Sequence, residues 1–236
     1  MQTNQETQTP VERARELLSE LSLTEKLRQL GCTMTLPMLP LEYQDLKGGI
    51  GAATVVGGED YCSDLRKVQD YIMENSPHHI PALFHAEALA GSTVAVGGNQ
   101  YPISVGLGAT FEPEIVEEMC DATRRQMLSY GVRHALSPVC DLARDPRWGR
   151  SNECYGNDPT LAAAMTVAFV KGLQGDDLTE GIAACGKHFI GYSQTEAGLN
   201  THKTMVDPRE IREQFAKPFE AAINLAGLRT IMNSYS

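Results

Sequence analysis

Ile182-Ala183-Ala184-Cys185-Gly186-Lys187-His188-Phe189-Ile190-Gly191-Tyr192 is the stretch whose reading decides the fold. Its first four residues form a continuous apolar run, too short for a helix and closed by glycine, as expected of a strand buried on both faces of a parallel sheet. Upstream, Asp158-Pro159 opens a helical pattern over 159–173, with an N-cap acid and proline at the first helical position. Downstream, Asp207, Pro208 and Glu210 repeat the device for a helix over 208–226, which Pro218 should bend because it lacks an N–H. The unit is helix, strand, helix, with polar residues crowded just after the strand.

The same alternation extends back along the chain. Apolar runs predict further strands over 50–56, 80–84, 134–139 and 229–232, with helical patterns over 60–74 and 113–130 between them. Before these, Val11, Ala14, Leu17, Leu18 and Leu21 recur at helical spacing, and Ser22 with Glu25 marks a capping box that starts a second short helix. Residues 1–10 are Gln/Thr-rich and are expected to be a flexible N-terminal segment, with one barrel-type domain over 11–236. Strand-then-helix repetition allows a doubly wound sheet or a (β/α)₈ TIM-type barrel. Five predicted strands, the last ending four residues from the C-terminus, make an incomplete barrel of about five of eight strands.

Composition narrows the chemistry. With 20 Lys+Arg against 30 Asp+Glu in 236 residues, the chain carries a net charge of −10, and its pI is about 5.1. Attraction to phosphate backbones or anionic lipid needs clustered cations, so nucleic acid and membrane surfaces are disfavoured partners. There is no run of 18 apolar residues and no basic, apolar leader at the start. Six cysteines without a CxxC pair suit a reducing compartment, so the expected location is the cytoplasm unless a leader has been removed.

Chemistry-bearing residues follow the predicted strands, the end at which ligands bind in both parallel architectures. In Phe84-His85-Ala86-Glu87-Ala88-Leu89-Ala90-Gly91, the Glu87 carboxylate can accept hydrogen bonds from two hydroxyls of a polyol or, alternatively, from backbone N–H groups at a helix start. Asp141-Leu142-Ala143-Arg144-Asp145-Pro146-Arg147-Trp148-Gly149-Arg150 packs three arginines, two aspartates and the only tryptophan into ten residues. Most of those charges suit an internal ion-pair network with Asp145 or Glu153, with one guanidinium left for a ligand and Trp148 as a packing wedge. Lys187 and His188 can share a pocket only if the strand ends and the backbone turns there, which Gly186 and Gly191 permit. Histidines at zinc-ligand spacing, GxSxG, GxGxxG and GxxxxGK[ST] are all absent from the sequence, so no metal or cofactor is expected.

Taken together, Leu21 to Lys26, Ile80 to Gly91, Ser137 to Arg150, Gly186-Lys187-His188-Phe189, Arg212 through Glu220 and Met232-Asn233-Ser234-Tyr235 resemble the N-terminal barrel domain of glycoside hydrolase family 3. That resemblance implies retaining cleavage of terminal β-linked sugars, β-glucosides or β-xylosides. It carries Glu87, Arg150, Lys187, His188, Met232 and Tyr235 onto the family's substrate-binding subsite. It also implies that the aspartate nucleophile and the acid/base lie beyond Ser236, so no catalytic residue is assigned here. The chain alone is expected not to turn over, and to need the C-terminal barrel half and α/β sandwich domain. Its partner is a small oligosaccharide or glycoside.

Departures from the family's pattern bear on substrate. Ser236 stands where asparagine is common, Asn157 where glutamate is frequent, and Ala86 and Ala90 replace a glutamate and a histidine. No Asp-Ser-His loop follows Lys187-His188-Phe189 before Asn200, which disfavours the N-acetylglucosaminide branch. Glutamate rather than aspartate at position 87 is similar to the xylosidase-type members, and its longer reach would narrow the space for a C6 hydroxymethyl. The alternatives are a non-catalytic sugar-binding barrel derivative, or an unrelated barrel hydrolase holding zinc at His85 or His188.

Overall fold

The computed structural model describes residues 8–35, 43–55 and 61–236, which group into two compact units: the described residues before 56 with 62–84, and residues 85–236 with residue 61. The expected flexible segment 1–10, the strand predicted over 50–56 and the helix predicted over 60–74 lie in part outside the described residues.

In the first unit, helix α1 (Pro10–Glu20) and helix α2 (Leu23–Gln29) each begin with a full capping box, Thr9 with Glu12 and Ser22 with Glu25. Each box satisfies two otherwise orphaned N–H groups. Of the five helix-spaced apolar residues in the entry segment, Leu21 alone is buried; Val11 and Leu18 are exposed. Strand β1 (Cys32–Thr35) pairs in parallel with β2 (Ala52–Val55), which pairs in parallel with the start of β3 (Leu83–Ala86) after helix α3 (Tyr61–Asn75). β1 brings the strands among the described residues to six, one more than the sequence pattern predicts. It escapes an apolar-run criterion because Cys-Thr-Met-Thr mixes polar residues with an exposed Met34. β3 begins three residues later than expected. Pro81 has no N–H to give, and both backbone groups of Ala82 are taken by the Gln69 side chain at 3.0 Å.

In the second unit, the end of β3 pairs in parallel with β4 (His134–Ala135), β4 with β5 (Ala183–Phe189), and β5 with β6 (Thr230–Asn233). Between them run helices α4 (Ser104–Gly108), α5 (Pro113–Tyr130) and α6 (Pro159–Gln174), and the segment joining β5 to β6 carries α7 (Pro208–Glu210), a π-helical turn at Ile211–Phe215 and α8 (Ala216–Ala226). The irregularity of this last segment is a widened turn just ahead of Pro218, the residue that cannot donate. In each unit the strands neighbour one another in chain order, whereas a doubly wound sheet reverses direction at a switch point. The fold is the α/β construction of a (β/α)₈ barrel in incomplete form.

Helix α6 is buried around most of its circumference, from Ala162 to Gln174, because α5 and α8 flank it and the sheet lies beneath. Its terminal Gln174 donates to the carbonyls of Ala226 and Gly227 and accepts from Ala184 N–H, which ties two helix ends to β5. β4 ends early because Pro138 interrupts the ladder. Its path still follows β5, through Cys185 N–H to Ser137, Lys187 N–H to Pro138, and Cys140 N–H to Lys187.

Gly186 is required for close approach. A Cβ there would meet Leu228 Cδ2 at 2.8 Å and Cys140 Sγ at 3.3 Å. Gly191, at φ 80°, supplies the left-handed turn that ends the strand segment. Gly186→Ala is expected to destabilise the chain by about 1–3 kcal/mol through overpacking. The measurement is the urea midpoint at unchanged slope; an unchanged midpoint would contradict the close packing.

Candidate functional site

Three neighbouring strands each end in polar residues, and these converge. Glu87 directly follows β3, Ser137 and Asp141 follow β4, and Lys187 and His188 lie near the end of β5. Both Lys187 and His188 reach the cluster, and the β5–β6 register shifts beside them, between Gly186 and Phe189. The turn expected of Gly186 and Gly191 is therefore divided: Gly191 makes the turn, while Gly186 makes room.

The Lys187 ammonium is 3% exposed and sits 2.7 and 2.9 Å from the two Glu87 carboxylate oxygens, while the Glu87 side chain is 45% exposed. Ser137 Oγ donates to Glu87 Oε2 at 3.2 Å and accepts from Ala88 N–H at 3.1 Å. Glu87 is thus fixed from below and open from above, and its pairing with water-facing geometry contributes on the order of 1 kcal/mol or less. Among the described residues, Lys187 Nζ bonds to Glu87 alone, so at least one of its three donors is left for a ligand.

His188 is fully buried. Its ring nitrogen Nδ1 lies 2.8 Å from Asp141 Oδ2, and its backbone N–H donates to the same oxygen at 3.1 Å. Tyr192 is the hub on the other side, with edge contacts to His188 at 5.0 Å, Trp148 at 5.3 Å and Tyr235 at 5.4 Å between ring centroids. Tyr235 also lies 5.2 Å from the His188 ring, and its hydroxyl donates to Met232 Sδ at 3.4 Å. Trp148 is 1% exposed and packs with Val139, Cys154 and Tyr192, a wedge as the sequence suggests.

Arg150 stands 5.8 Å over the Tyr192 ring and grips Glu153 through two parallel bonds of 2.8 Å. Burial by itself would raise the Glu153 carboxyl, but the Arg150 fork, with Lys187 and His188 nearby, holds it below its usual range on balance. Glu153 in turn raises Arg150, so the guanidinium is permanently charged. The neighbouring arginines are occupied differently: Arg147 is clamped to Asp145, while Arg144 reaches Gln214 and Glu210. Burial lowers His85 and His134, which favours their neutral form.

All six sequence-predicted site residues therefore lie in one unit. Glu87 and Lys187 touch directly, His188 and Tyr235 share ring contacts, Met232 joins through Tyr235, and Arg150 joins through Tyr192. Sequence reasoning named Glu153 only as an ion-pair partner for the arginines of its loop, and assigned no role to Ser137, Asp141 or Tyr192. Each stands inside a quoted loop, and its position just after a strand was the available signal. Among the described residues, no group of three or more His, Cys, Asp or Glu side chains could hold a metal. No helix among them is long and apolar enough to cross a membrane.

Residues 22–236 match the glycosyl hydrolase family 3 N-terminal domain. A β-xylosidase from Formosa agariphila is 39% identical over 162 residues, covering 65% of this chain and 22% of that protein. A β-glucosidase structure from Erythrobacter marinus superposes with a TM-score of 0.87 at 31% identity, over 97% of this chain and 32% of that one. The β-glucosidase from Listeria innocua, solved in complex with isofagomine, gives a TM-score of 0.83 at 30% identity, over 96% and 32%. The chain spans less than a third of the length of these proteins.

The Glu153 geometry yields a pH prediction. A carboxyl lowered in the folded state adds stability above its unfolded value, near 4.5, and loses it as pH falls through the lower folded value. Wild type is expected to be more stable than Glu153→Gln at neutral pH, with the difference closing below pH 4.5. Urea unfolding of both proteins from pH 7 to pH 3 measures it; a difference that persists undiminished to pH 3 would contradict the pairing.

Proposed function

The chain belongs to glycosyl hydrolase family 3, and on that premise we propose that it carries the sugar-holding side of a retaining β-glycosidase acting on terminal β-xylosyl or β-glucosyl units. The observation that carries the reading is the half-exposed Glu87 carboxylate, pinned by a buried ammonium beside His188 and the aromatic Tyr192–Tyr235 wall. An ionised carboxylate with both oxygens fixed accepts hydrogen bonds from two adjacent hydroxyls, and the spare Lys187 donor serves a third. The exposed Tyr235 ring, backed by buried Tyr192, meets a C–H face of the pyranose.

These residues bind and orient; none is an attacking group. Retaining hydrolysis needs two carboxyl groups about 5–5.5 Å apart across the scissile bond. On this reading those carboxyls come from the second half of the barrel and the α/β sandwich domain, so this part of the protein supplies orientation and charge at the sugar rather than bond cleavage. The length of Glu87 favours a xyloside over a glucoside by narrowing the room for C6.

Titration calorimetry of the 236-residue chain with methyl β-D-xyloside and methyl β-D-glucoside tests the site. Glu87→Ala is expected to weaken binding about tenfold or more, the worth of charge-assisted hydrogen bonds, while Arg147→Ala leaves it unchanged. Equal loss in both variants, or none in Glu87→Ala, would contradict the assignment, and tighter glucoside binding would contradict the C6 argument.

A further inference from the structure

We propose that Asp141 is a positioning residue. It locks the His188 ring proton on Nδ1 and so reserves Nε2 as the pole that meets a ligand hydroxyl. The inference rests on the sugar-site reading above and assigns a role to a residue that reading does not use.

The geometry begins with one oxygen. Asp141 Oδ2 accepts the His188 backbone N–H at 3.1 Å and lies 2.8 Å from His188 Nδ1. A carboxylate oxygen facing a bare ring nitrogen at that distance would set two lone pairs against each other. Nδ1 therefore carries the proton, whether the ring is neutral or cationic. Both side chains are at most 1% exposed, so water does not compete for either partner.

The arrangement is held from the backbone. Asp141 follows the segment in which Cys140 N–H donates to the Lys187 carbonyl, so the residue before Asp141 is bonded to the residue before His188. The His188 amide then makes the second tie to the same carboxylate. Rotation of the Asp141 side chain would break both bonds at once, and rotation of the His188 ring would break the bond at Nδ1.

The remaining pole is unsatisfied. His188 Nε2 is buried and makes no hydrogen bond among the described residues. Native interiors rarely leave such an atom without a partner, and a cluster already shaped for hydroxyls offers an evident one. With the proton held on Nδ1, the neutral ring presents Nε2 as an acceptor, and a sugar hydroxyl donates to it. A ring free to change tautomer would also present an N–H at Nε2 and lose that preference.

The test uses the 236-residue chain labelled with ¹⁵N-histidine. Two-bond nitrogen–proton correlations distinguish the tautomers, and His188→Gln identifies the His188 signal among the six histidines. Wild type is expected to show His188 protonated at Nδ1 alone. Asp141→Asn is expected to populate the Nε2–H form, as happens when a histidine-orienting aspartate is amidated in a serine protease. It should also weaken methyl β-D-xyloside about five- to tenfold, the worth of one hydrogen bond. A wild-type His188 found as Nε2–H or as a tautomer mixture overturns the proposal even if sugar binds. An altered tautomer with unchanged affinity overturns the positioning role. A locked wild-type tautomer in a chain that binds no glycoside supports the lock and instead overturns the sugar-site reading.

Discussion

A buried ammonium must have a counter-charge, and that requirement organises this structure. Lys187 is carried by β5 to a place where it is 3% exposed, and the carboxylate beside it comes from the end of β3. Leaving a charge buried without its partner costs several kcal/mol, so β3 and β5 have to be spaced by one strand with their ends aligned. β4 fills that gap, and its own contribution, Ser137, donates to the same carboxylate. Chain-order parallel pairing is thus a condition of the polar cluster as well as a description of the fold.

The same constraint separates two kinds of polar residue. Arg144 and Arg147 are taken up by Glu210, Gln214 and Asp145 at the surface of their loops, and they serve to shape those loops. Lys187, Glu87, Arg150 and His188 are held by partners that leave bonding capacity unused: a spare ammonium donor, a half-exposed carboxylate, a guanidinium over the Tyr192 ring and a buried, unbonded Nε2. Fixed donors and acceptors with unused capacity give a binding site its preorganisation, since their orientation is settled during folding and not at the moment of encounter.

Much of this was legible in the residues. Asp158-Pro159 and Asp207-Pro208 start helices where they should, and the 113–130 pattern matches helix α5 end to end, because caps and 3.6-residue periodicity act locally. β1 was not legible, since a four-residue strand of alternating Thr with Cys and Met has no apolar run to announce it. The start of β3 and the end of β4 also differ from expectation, because proline and the Gln69 side chain decide them, whereas β4 begins at His134 as expected. At the site, charged residue types were visible, but their pairing was not. That Asp141 holds His188, or that Glu87 takes Lys187, depends on loops from different strands meeting in space, which no local pattern encodes; the Arg150–Glu153 pair is local, three residues apart in one loop.

The central claim is that the open side of the Glu87–Lys187 pair receives the hydroxyls of a pyranoside. A crystal structure of the chain soaked with methyl β-D-xyloside tests it most directly. The expected result is a sugar ring with two hydroxyls on the Glu87 carboxylate, one on Lys187 Nζ, and its face against the exposed Tyr235 ring. A sugar bound elsewhere while Glu87 and Lys187 face only solvent and each other would contradict it.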